Sequence, residues 1–182
     1  FATKDDTIIS TLLGSCVAAC LYDPVNHVVG MNHFLLAGNL NNPNNYYLSD
    51  AGRYGIHAME LLINDMMKLG ADKKRLKAKS FGGAHVLHTV TDTPQASIPD
   101  NNVQFIKEFL TTENIPLVSQ DLGGNAGRKL LFFSKDFRVL MKRLDSQSAR
   151  IAQKEEEELL QEQKKKLSAS GQVRKSNVDF FE

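Results

Sequence analysis

TIISTLLGSCVAACLYDPVNHVVGMNHFLL, residues 7–36, decides how this chain is read. Residues 7–13 and 16–22 are dense in β-branched and apolar side chains, the composition of strands, and Gly14-Ser15 between them marks a joint or bend. Asp23-Pro24-Val25-Asn26 has turn chemistry, with proline at a favoured position. Residues 27–36 return as a further strand. This predicted strand–turn–strand hairpin carries Cys16 near the start of one arm and His33 late in the other, towards the same end.

That placement has a chemical meaning. A free thiol has a pKa of about 8.5, so little of it is thiolate at neutral pH. A neighbouring imidazole takes the proton and leaves a thiolate–imidazolium pair. Each residue also has an ordinary reading. A cysteine followed by Val17, Ala18 and Ala19 is by default a small buried hydrophobe. A histidine between Asn32 and Phe34 is by default a hydrogen-bonded core residue.

Outward from this segment, residues 38–50 form an Asn-rich loop without apolar periodicity, either functional or a solvated connection. Residues 52–69 are predicted helical, with Tyr54, Ala58, Leu61, Leu62 and Met66 at helical spacing. Ser49 or Asp50 is the predicted cap and Gly70 the left-handed residue past the end. Met59, Met66 and Met67 are read as core or helix-packing residues. Residues 75–81 alternate as a strand ending at Gly82-Gly83. A second helix opens around Ser97-Ile98-Pro99-Asp100, with Val103, Ile106, Phe109 and Leu110 on one face. Residues 116–120 and 129–133 are predicted strands flanking Asp121-Leu122-Gly123-Gly124, and residues 136–143 a last one. The irregular alternation, with largely hairpin-linked neighbours, predicts a mixed α+β fold: a layered sandwich of mixed β-sheet with flanking helices, plus a C-terminal helical tail.

The 182 residues suffice for one sizeable domain and an appendage. The expected division is residues 1–145 as the domain and 146–182 as a charged helical extension and flexible tail. The extension carries charge blocks at 155–158 and 164–166, a flexible break at 168–171, and Asp179-Phe180-Phe181-Glu182, which resembles a short docking motif. A net charge of +1 recommends no nucleic-acid partner, and the absence of about 18 consecutive apolar residues excludes direct membrane insertion by a helix. Two cysteines, Cys16 and Cys20, make no disulfide framework. Four apart on one strand they would stand about 13 Å apart, too far to bridge. With no signal peptide, a reducing cytoplasm is the expected compartment. The chain starts at Phe1, so some N-terminal sequence is expected to be missing.

No cofactor or metal is expected. Gly82-Gly83 lacks the dinucleotide spacing, and residues 123–129 lack the Walker pattern, so tight turns explain both glycine pairs better. His27, His33, His57, His85 and His88 show no HExxH; His85 and His88 are spaced to share a helix face, with no third ligand evident.

The chain resembles the CheD family of chemoreceptor glutamine deamidases. The matching segments are LGSCVAACLYDP (13–24), GMNHFLL (30–36), YGIHAMELLINDMMKLGA (54–71), KSFGGA (79–84), NNVQFIKEFL (101–110), IPLVSQDLGGNAGRKLLFF (115–133) and FRVL (137–140). The resemblance implies a cysteine-dependent amidohydrolase that acts on glutamine side chains in the cytoplasmic helical bundle of chemoreceptors during bacterial chemotaxis. It implies Cys16 as nucleophile and His33 as its partner. The family's third polar residue, usually threonine, lies six positions before the cysteine and maps to Ser10, with Thr11 beside it. Period-two alternation lets only one of these neighbours serve. Pro99 departs from the glycine that tends to follow isoleucine in the family. The resemblance also implies docking to a CheC-type phosphatase, so a regulatory binding partner with secondary deamidase activity is the alternative function. A different cysteine hydrolase or a transglutaminase-like enzyme would use the same pair.

Overall fold

In a computed structural model, the structure describes residues 1–36, 49–86 and 98–144, together with helical positions 151, 154, 158, 161 and 165. Most of the Asn-rich loop, His88 and nearly all of the extension lie outside the described residues.

Eight strands are described: β1 (Ala2–Thr3), β2 (Ile8–Leu13), β3 (Val17–Asp23), β4 (Val28–Phe34), β5 (Lys77–Gly82), β6 (Leu117–Leu122), β7 (Arg128–Phe133) and β8 (Val139–Arg143). Two helices, α1 (Asp50–Lys68) and α2 (Ile98–Thr112), join β4 to β5 and β5 to β6. The strands form a five-stranded sheet in the order β1-β4-β3-β5-β6 and a three-stranded sheet in the order β2-β7-β8. Among the described strands, only β5 and β6 pair in parallel, and α2 supplies the crossover that a parallel pair requires. The mixed, layered α/β class expected from the sequence is therefore observed.

The hairpin of β3 and β4 is present, with Ala18 opposite His33. The joint at Gly14-Ser15 does more than bend one strand. It carries the chain from the small sheet, which holds β2, to the large sheet, which holds β3.

Two apolar layers result. Val17, Ala19, Leu21, Val28 and Phe34 face the helices, against Met59, Leu62 and Met66 of α1 and Phe105, Ile106 and Phe109 of α2. Cys16, Ala18, Cys20, Val29, Met31 and Leu35 face the small sheet, against Leu13, Leu130 and Phe132. β3 is thus buried along its whole length, which explains why VAACLYD shows no polar alternation. β2 has one inner face and alternates.

Ser49 caps α1, its Oγ accepting from Gly52 N–H at 3.0 Å, and Gly70 takes φ +95° past the helix end. The apolar face of α1 is narrower than its spacing suggested: Met59, Leu62 and Met66 are buried, whereas Tyr54, Leu61 and Met67 are substantially exposed. The other glycine pairs sit at strand ends with positive φ, Gly82-Gly83 after β5 and Gly123-Gly124 after β6.

The far end of the hairpin is tied down by Asp23. Its buried carboxylate accepts from Arg75 Nε and Nη2 at 3.2 and 2.9 Å and from the N–H groups of Val25, Asn26 and Asp72. Burial by itself would raise this carboxyl; the Arg75 guanidinium and the three N–H donors outweigh it and hold the group below the usual carboxylate range. A lowered folded-state pKa contributes stability that is present above the unfolded value of about 3.9 and is lost as pH falls below it. Asp23→Asn is expected to cost about 2 kcal/mol at neutral pH, because hydrogen bonds to a charged group are lost. Urea unfolding at pH 7 and pH 3 checks this: the deficit should shrink at the lower pH. An equal deficit at both would show that the charge is irrelevant.

Candidate active site

Cys16 and His33 belong to the same face of the large sheet. His33 lies between Met31 and Leu35 in the alternation of β4 and pairs with Ala18, two residues after Cys16. The two side chains therefore enter the layer between the sheets as diagonal neighbours, a separation that long side chains span. Cys16 has no exposed surface, and His33 Nε2 is shielded from solvent.

The third group comes from the other sheet. Thr11 Oγ1 lies 3.0 Å from His33 Nδ1. Thr11 projects inward from β2 with Ile9 and Leu13, while Ser10 points to the exposed face. The structure thus sets Thr11, not the expected Ser10, against the imidazole. The physical reason is the period of the strand: the inner face of β2 is the one that covers the apolar layer, and Ser10 lies out of phase with it. The Thr11 hydroxyl also lies 3.4 Å from the Leu12 carbonyl. A Thr11 hydroxyl that donates to Leu12 O would accept from His33 Nδ1–H and leave the Nε2 lone pair for a proton.

The loop bearing Cys16 is held by three consecutive carbonyls. Gly14 O accepts from Ala84 N–H at 2.7 Å and Cys16 O from Gly83 N–H at 2.7 Å. Ser15 O accepts from Asn102 Nδ2 at 2.9 Å. The exit of β5 presses close: a Cβ at Gly82 would stand 2.1 Å from Cys16 O, so this backbone approach requires glycine. Behind it, the buried Arg128 donates through Nε to Asp121 at 2.6 Å and through Nη2 to Gly123 O at 2.5 Å. The turn so fixed reaches the β5 exit through Gly123 N–H to Gly82 O and His85 N–H to Gly124 O. The paired motifs DLGG and GRK are one turn and its clasp.

Cys20 is different from Cys16. It lies four residues after Cys16, within β3 and paired with Met31, and burial pushes its thiol up to about 12 although Lys79 pulls the other way. It is a packing residue.

Sequence reading assigned no role to Asn102. The signal was a polar residue on the helical face that also carries Phe105, Ile106 and Phe109, where apolar residues are the rule.

Comparison with known proteins adds the following. The family model described as CheD chemotactic sensory transduction matches residues 35–143, which begins just after the segment holding Cys16 and His33. A probable chemoreceptor glutamine deamidase of Shewanella oneidensis is 44% identical over 160 residues, covering 87% of this chain and 79% of that protein. One of Geobacter sulfurreducens is 45% identical over 154 residues, 84% of this chain and 77% of that protein. One of Xanthomonas campestris is 49% identical over 141 residues, 77% and 67% respectively.

Proposed function

This chain belongs to the CheD family, and on that premise we propose that it deamidates glutamine side chains of chemoreceptors to glutamate through Cys16, His33 and Thr11. The observation that carries the residue assignment is the Thr11–His33 bond bridging the two sheets beside Cys16.

His33 Nε2 takes the Cys16 proton, and the sulfur attacks the side-chain amide carbon. The C–S bond forms as the carbonyl π pair moves to oxygen. The imidazolium returns the proton to nitrogen, the C–N bond breaks, and ammonia leaves. Water, losing a proton to His33, then attacks the thioester; the C–S bond breaks and glutamate remains. Thr11 keeps Nδ1 protonated and the ring in plane, as the third member of a triad does. The oxyanion is proposed to form against the Gly14–Cys16 loop, where glycine lets the backbone approach closely.

The substrate is a helix surface, so its glutamine side chain reaches a sulfur that is covered in the free protein. The product places a negative charge on a receptor helix, where like-charge neighbours at i, i+4 are destabilising. Residues 1–145 form the deamidase unit in this reading, and residues 146–182 a separate extension. No helix among the described residues is long and apolar enough to cross a membrane; the proposed site of action is the cytoplasm, where the receptor bundle lies. A purely regulatory partner of a CheC-type phosphatase would have no need of the hydroxyl–imidazole contact.

Mass spectrometry of a receptor cytoplasmic fragment incubated with the protein tests the reading, by locating glutamine-to-glutamate conversion. No conversion at any glutamine would overturn it. Thr11→Val is expected to lower turnover about 10- to 100-fold, less than loss of the acid–base group itself, while Ser10→Ala stays within about twofold. The reverse order would return the third position to Ser10.

A further inference from the structure

We infer that the outer face of the small sheet, which takes no part in the proposed deamidation, is a docking surface for the chain's own Asp179-Phe180-Phe181-Glu182 segment.

The registers of β2, β7 and β8 lay this face out. Leu130 and Phe132 point into the layer between the sheets, so the residues that alternate with them point away from it. The outward side chains fall into rows across the strands. Ile8 stands beside Phe133, Leu131 beside Leu140, and Lys129 beside Lys142.

The solvated face of an antiparallel sheet is normally polar. Here Ile8 and Leu140 are 53% and 48% exposed, with Leu131 and Phe133 half-buried between them. Contiguous apolar surface of this kind marks an interaction site. The lysine row adds a charge. Lys129 and Lys142 are direct cross-strand partners, an arrangement that like charges disfavour. The neighbouring Arg128 and Arg143 are both matched to Asp121, whereas neither lysine has an acidic partner among the described residues. The face is therefore complementary to a segment that is both apolar and anionic.

Asp179-Phe180-Phe181-Glu182 has that chemistry, with two aromatic anchors and two carboxylates in four residues. Extended, four residues span about 13 Å, and the leucine and lysine rows lie two residues, about 7 Å, apart. The tether is long enough. β8 ends at Arg143, next to Lys142, so the extension starts from this same sheet. Helical positions 151–165 cover about 21 Å, whereas residues 166–178 reach up to about 43 Å when extended, enough to double back. A tether also raises the local concentration of the segment far above that of a second copy in dilute solution.

The chain contains no tryptophan, so Phe181→Trp in the full chain supplies a single indole reporter, and Phe180→Trp a second one. The indole emission is expected to be blue-shifted and several-fold less quenched by acrylamide than that of a free indole. Leu140→Asp should return it to solvent-like behaviour. So should Lys129→Glu combined with Lys142→Glu, which leaves the apolar rows in place. Adding Asp179→Lys and Glu182→Lys to that pair reverses both sets of charges and should restore the protection. Met67→Asp, at an exposed apolar site on α1, should change nothing. Circular dichroism follows the fold of each variant. Protection should weaken with salt and persist after about a hundredfold dilution.

An indole open to solvent at both positions would overturn the proposal. Protection that survives both sheet-face changes would overturn it too, because the segment would then lie elsewhere. A loss that the charge swap does not reverse would remove the ionic match on which the placement rests. Protection that fades on dilution would give the face to another copy's segment and refute the intramolecular assignment.

Discussion

Cys16→Ala is expected to abolish deamidation, with a loss of roughly 10⁴-fold or more, the scale on which removal of an activated nucleophile acts. Among the described residues, nothing in the layer between the sheets replaces the sulfur. Cys20 shares its cluster, but its thiol, pushed up to about 12, holds negligible thiolate at neutral pH. Deleting one buried sulfur costs stability on the order of 1 kcal/mol, so the variant should fold. Ammonia release and mass spectrometry of the receptor fragment read the activity, and circular dichroism reads the fold. Cys20→Ala is the matched control and should retain turnover within about threefold. If folded Cys16→Ala keeps measurable turnover while Cys20→Ala does not, the nucleophile has been misassigned.

His33→Ala is expected to lower turnover by about 10²- to 10⁴-fold, the contribution of a positioned acid–base group. In the proposed mechanism it removes the acceptor for the thiol proton and the donor for the departing ammonia, and with them the partner of Thr11. The variant has a second signature. Without the imidazole, Cys16 loses the group that takes its proton. Its alkylation rate at neutral pH should fall below that of the parent and rise steeply at higher pH. Superimposable alkylation profiles for parent and variant would mean that His33 does not activate the thiol, whatever the turnover.

The position of the third residue illustrates why elements were legible and their faces were not. Alternation identified β2 as a strand and required that one of Ser10 and Thr11 face inward. Choosing between them needed to know which face lies against the second layer. Counting six positions back from the cysteine gave Ser10; the apolar layer selected Ile9, Thr11 and Leu13. α1 shows the same limit. Its period and its Ser49 cap were readable, but the inner stripe took Met59, Leu62 and Met66 and left Leu61 and Met67 outside.

The sequence by itself determined most of the elements (though not β1), the turn at residues 23–26, the hairpin whose arms lead to Cys16 and His33, and the family. These depend on local chemistry: side-chain period, turn residues, and a register set over a few residues. Tertiary structure alone decided that Gly14-Ser15 passes between two sheets, that Thr11 meets His33 from the second sheet, and that Asn102 holds Ser15 from α2. Each of these joins groups on different elements, and for Asn102 and Ser15 they lie 87 residues apart. Such partners carry no mark in the local pattern. A buried hydrogen-bonding group must be satisfied, but the identity of its partner follows only from which surfaces the packed layers bring together.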